Sequence, residues 1–173
     1  MDTKPNQIIN EVTKQAKNKV SMKVSLFFGV ILGAFALLNG LIPFIGCITF
    51  FVIIAIKLYT GTFLAEIYQM NRGNLLSQKN LISVGIISLI ISIIEAIAGA
   101  VGSIFFNLLL SGFSGAATSA ISIVFSFIIS VIFGSLFTFV ILILGVVLSV
   151  YSTNGKIEML SSFSVKIKKL LKI

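Results

Sequence analysis

Residues 24–56 read VSLFFGVILGAFALLNGLIPFIGCITFFVIIAI, without one charged side chain. A membrane-spanning helix needs about 20 apolar residues, so this block is too long for a single span. Its middle, Asn39-Gly40-Leu41-Ile42-Pro43-Phe44-Ile45-Gly46, supplies a break. Proline has no amide proton and biases its predecessor away from helical dihedrals. The block therefore reads as two spans, about 24–41 and 44–68, joined by a short turn.

Working outward, residues 69–80 carry Arg72, Gly73 and Lys79 and read as a polar loop, followed by a third apolar segment at 81–106. Ser111 to Ser119 is rich in glycine and serine, a turn composition. A fourth apolar segment covers 120–151. It is longer than a ~30 Å hydrocarbon core requires, so it must tilt, project or break.

Twelve of the thirteen Lys and Arg residues lie in 1–23, 69–80 and 152–173, whereas the turns at 39–46 and 111–119 hold no charge. In membrane proteins Lys and Arg accumulate on the cytoplasmic side. The expectation is an all-α integral membrane protein of the cell (inner) membrane, with four transmembrane helices in two antiparallel hairpins and both termini cytoplasmic. Residues 1–23 form a basic amphipathic N-terminal segment, with Ile8, Val12, Ala16 and Val20 at helical spacing, 24–151 the transmembrane domain, and 152–173 a basic amphipathic tail. In the tail Leu160, Phe163, Ile167, Leu170 and Leu171 fall near one helical face, as expected of a helix lying on a membrane surface.

Composition agrees. A chain of 173 residues that is 57% hydrophobic and 10% charged has too little polar surface to cover a water-soluble globule. A net charge of +8 would suggest nucleic acid in a soluble protein. Here the lysines flank hydrophobic spans, so the expected partners are the bilayer and its anionic headgroups at both termini, with no nucleic acid. Cys47 is the single cysteine and histidine is absent, which excludes an intrachain disulfide and the usual zinc or haem sites. Gly112-Phe113-Ser114-Gly115 has the spacing found around some serine nucleophiles, yet the chain has no histidine base. Paired catalytic aspartates, phosphate-binding loops and Cys-x-x-Cys are also lacking. No enzyme, cofactor or metal site is expected.

The sharpest feature is a pair of charges inside the spans. Lys57 lies about 11 residues, roughly 17 Å, from the Tyr68 end of span 2, and Glu95 about 14 residues, roughly 21 Å, into span 3. Consecutive antiparallel spans bring both to similar depth. Gly85, Ser88, Ser92, Glu95, Gly99 and Gly102 form one stripe of small residues around the carboxylate, and Gly46, Thr49, Lys57 and Thr60 share a face of span 2. Small residues let membrane helices approach closely. Gly29 and Gly33 in span 1, and Ser122, Ser126, Ser130 and Gly134 at intervals of four in span 4, read as further packing positions. An ammonium in the bilayer costs about 2.5–3.5 kcal/mol on insertion scales and demands a partner. The pair reads either as a structural tie or as an ion- or proton-coupled site.

The functional expectation is a non-enzymatic scaffold or accessory subunit, packing as a homo-oligomer or with partner membrane helices. A small oligomeric transporter or channel using Lys57 and Glu95 is the alternative, and a holin-like pore former the third.

Overall fold

The structure is a computed structural model describing residues 5–42, 45–75, 77–111, 120–151 and 158–173, with side chains described for 19–42, 45–75, 77–106, 109, 125–151 and 164–173. It contains five helices: α1 (Pro5–Leu41), α2 (Gly46–Ile67), α3 (Gln78–Ser111), α4 (Ala120–Tyr151) and α5 (Glu158–Leu171). There is no strand among the described residues. Four of the helices hold segments long and apolar enough to cross a membrane, at Lys19–Leu41, Gly46–Ile67, Gln78–Phe106 and Phe125–Tyr151.

Helix α1 starts on Pro5, where a missing amide proton costs nothing. From Pro5 onward the expected N-terminal segment and span 1 form one continuous helix of 37 residues, roughly 55 Å long. Helix α4, with 32 residues, runs unbroken for roughly 48 Å. Of the three ways its length could be accommodated, the break is not used.

Helix ends at the basic side are closely specified. After α2, Gln69 takes φ 50°, Met70 N–H donates to Ala65 O at 2.9 Å and Gln69 N–H to Glu66 O at 3.3 Å. This is a Schellman stop built without glycine. Helix α5 ends in the same way: Lys172 has φ 52°, Ile173 N–H donates to Lys168 O at 3.1 Å and Lys172 N–H to Lys169 O at 3.3 Å. In the intervening loop Asn71 Oδ1 accepts from the amides of Gly73 and Asn74 at 3.0 Å, while Asn74 Oδ1 accepts from Asn71 N–H at 2.7 Å. Ser77 then caps α3 through the amide of Asn80.

Packing does not follow chain order. Helix α1 packs chiefly on α3, α2 on α4, and α3 on α4, while α1 and α2 touch lightly. Residues level with one another rise together along α1 and α3 (Gly29 by Ile94, Gly33 by Ala98, Gly40 by Ser103), so these two helices are parallel neighbours. Helices α2 and α3 face each other across the bundle. The core unites Val24, Phe28, Leu32, Phe63, Leu64, Val84, Ile87, Ile91, Leu142 and Val146, all within about four turns of the basic end. Ile167 of α5 joins it from below. The turn at Pro43 and Phe44, and the turn across 112–119, lie outside the described residues.

Candidate functional site

The deepest polar groups meet where the packed half of the bundle ends. Lys57 Nζ donates to Glu95 Oε2 at 2.9 Å and to Thr138 Oγ1 at 2.9 Å, and Ser92 Oγ donates to the same threonine oxygen at 3.2 Å. Three helices thus contribute to one chain of hydrogen bonds. The lysine side chain is 5% exposed and the glutamate 14%. The ammonium also lies 5.8 Å from the centroid of the Phe137 ring, within reach of its negative face. A charge buried in low dielectric is tolerated when it is paired and further hydrogen-bonded, and Lys57 meets both conditions.

Glycines set the distances that make this possible. On α2, Gly61 follows Lys57 by one turn on the same face. A Cβ on Gly61 would overlap the Leu142 carbonyl oxygen, and one on Gly145 would overlap the carbonyl of Leu58. The α2 and α4 backbones therefore touch one turn from the ion pair. The α1–α3 seam is similar: a Cβ on Gly29 would come to 2.5 Å from Ile94 Cδ1, one on Gly33 to 3.1 Å from Ile94 Cγ2, and one on Gly102 to 2.5 Å from Leu37 O. Gly40 closes the seam, with Gly99 O at 2.8 Å.

The small-residue stripe of α3 is divided between two neighbours. Gly85 looks toward Phe139 and Ser92 toward Thr138 and Gly134, all on α4, whereas Gly99 and Gly102 meet Ala36, Leu37 and Gly40 on α1. Ser88 is buried and returns its hydroxyl to Gly85 O at 2.8 Å. On α4 the four-residue row leaves the bundle: Gly134 lies 3.7 Å from Ser92 Cβ, but Ser126 and Ser130 are exposed. A spacing of four advances about 40° beyond a full turn at each step, so such a row winds off any one face. The side chain of Ser122 lies outside the described residues.

A second polar cluster, not anticipated from sequence, joins α5 to the bundle. Lys168 Nζ lies 2.7 Å from Glu66 Oε1, and Ser164 Oγ donates to Glu66 Oε2 at 2.5 Å. Lys23 Nζ donates to Leu171 O at 2.9 Å, and the Ser21 and Tyr68 hydroxyls are bonded to each other. Helix α5 therefore lies across the basic ends of α2 and α1. It docks through Ser164, Ile167, Lys168 and Leu171, and Leu170 of the expected apolar face stays exposed. The side chains of Leu160 and Phe163 lie outside the described residues. The available signal was Glu66 itself, an acid at the end of an apolar span beside a lysine-rich tail.

Among the described residues no group of three His, Cys, Asp or Glu is placed to hold a metal ion. Fold and site together define a multi-pass helical membrane protein with four spans and a buried Lys–Glu pair. Comparison with known protein families, curated proteins and solved structures finds no match.

Proposed function

We propose that this protein is a non-enzymatic membrane scaffold or accessory subunit, oriented with its basic end, and both termini, on the cytoplasmic side of the cell membrane. The observation that carries the reading is that Lys57 places two of its three N–H donors within the bundle, on Glu95 and Thr138. Beyond that site the uncharged halves of α2, α3 and α4 turn apolar and small side chains outward, among them Phe51, Ile104, Ser126 and Phe133. These are surfaces on which membrane helices pack. The lysine asymmetry supports the orientation, and anionic headgroups are the natural counter-charge of the basic end.

Purification in mild detergent should recover a defined homo-oligomer or a stoichiometric membrane partner. A monomer with neither property removes the scaffold reading. Reporter fusions after residues 75 and 173 should behave as cytoplasmic, and an external C-terminus would reverse the orientation.

One observation favours transport as the second reading: Glu95 retains some exposure and begins a polar chain that crosses three helices. Ion or proton flux through reconstituted liposomes, abolished by Lys57→Met with Glu95→Leu, would select it.

A further inference from the structure

We propose that the corner between α1 and the last turn of α5 binds a lipid headgroup carrying two phosphates, of the cardiolipin type. The proposal rests on the reading that the basic end meets an anionic leaflet, and adds a place and a ligand chemistry.

The corner is set by one bond. Lys23 Nζ donates to Leu171 O at 2.9 Å, which brings the C-terminus of α5 against α1. An ammonium has three donors, so Lys23 keeps two for another acceptor. Lys19 stands one turn before it on α1, while Lys169 lies in the last turn of α5 and Lys172 follows directly after that helix, at its left-handed stop. All three are exposed, and none forms a salt bridge among the described residues, because Glu66 pairs with Lys168. The negative end of the α5 dipole lessens the repulsion between these cations and leaves most of it in place. The turn of α1 and the C-terminal end of α5 thus each offer a pair of ammonium groups around one contact.

A single phosphodiester carries one negative charge and would satisfy one pair at most. Two phosphates on one headgroup would engage both helices at once, and basic pockets beside cytoplasmic helix ends suit such headgroups. A lipid is favoured over a soluble polyanion by what surrounds the lysines. Val165 is 65% exposed and Leu170 67%, on the same outward side of α5 as Lys166 and Lys169. Apolar and cationic side chains mixed on one exposed face fit the boundary between headgroups and acyl chains.

The test uses the full chain in phosphatidylcholine nanodiscs doped with cardiolipin or, at equal phosphate charge, phosphatidylglycerol, with retained lipid counted by native mass spectrometry. Cardiolipin should be retained in preference. Lys169→Gln with Lys172→Gln, which leave the bonds to Glu66 and Leu171 in place, should weaken retention about 25-fold, at roughly fivefold per lysine, and Lys19→Gln on the other helix about fivefold. Arg72→Gln with Lys79→Gln removes the same charge from the same end and should leave most of the preference. Equal retention of phosphatidylglycerol, or equal loss from the Arg72 and Lys79 pair, would reduce the corner to diffuse charge and overturn the proposal. Displacement of cardiolipin by inorganic pyrophosphate would overturn the lipid as its source. The preference is measured whichever way the protein faces, so a failed orientation in reporter fusions and a failed corner are separate results.

Discussion

Phe63 and Phe51 lie 12 residues apart on α2, roughly three and a third turns, and so point to different sides of it; the first is 2% exposed and the second 72%. The same contrast divides the whole bundle. Near the basic end Phe28, Ile87, Leu142 and Ile167 close a shared core, whereas on α4 no described residue from Phe125 to Phe137 is buried. Both halves are rich in apolar residues. Lipid tails are as apolar as leucine, so apolarity alone does not draw membrane helices together. Close packing arises where something else specifies it: glycines that let backbones meet, a polar group that needs a partner, a capped helix end that fixes direction. The basic half has all three, and the uncharged half retains the α1–α3 seam through Gly40 and Gly102 and the hydrogen bond from buried Thr49 to Asn39.

The largest effect should come from the boundary between the halves. Lys57→Met or Glu95→Leu alone leaves a buried charge without its partner and should destabilise the protein by about 3–5 kcal/mol, while the double variant recovers most of that loss. Equilibrium unfolding of the four variants in micelles gives the coupling energy. Additive effects would break the contact and, with it, the boundary.

Phe63→Ala should cost about 3 kcal/mol by opening a cavity in the packed half. Phe51→Ala, on the same helix and of the same chemistry, should fall within about 0.5 kcal/mol, as exposed substitutions do. Similar losses at both sites would mean that the uncharged half is packed after all.

Gly61→Ala places a methyl group against the Leu142 carbonyl and should cost about 2 kcal/mol through overpacking. Gly46→Ala meets nothing within 4 Å and should be neutral or slightly stabilising. Thermal melts of the pair sharpen the role of the α2–α4 seam.

The smallest effect is expected at Glu66 and Lys168, whose side chains are about a third exposed at 33% and 32%. Lys168→Gln should change stability by under about 1 kcal/mol, and salt should reduce the difference. A loss comparable with that of Lys57→Met would make α5 a principal support of the bundle.

How much of this was legible depends on the range of the interaction. Four apolar segments, the break between 41 and 46 and the basic tail as a helix are local consequences of side-chain polarity and backbone chemistry, and a sequence carries such information residue by residue. The depth of Lys57 and Glu95 was also local, since it requires counting along two helices and nothing more. The sequence did not say that α1 prefers α3 to its own hairpin partner. Nor did it say that Gly61 meets Gly145, or that Thr138 joins the ion pair while Ser126 and Ser130 of the same row turn outward. Those outcomes depend on which helix faces come within van der Waals reach. In a bilayer every apolar face is equally content with lipid, so the choice falls to backbone proximity and hydrogen-bond partners that exist once the helices are assembled. Polarity along the chain determined that the helices span a membrane; contact between distant glycines and hydroxyls decided how they stand together.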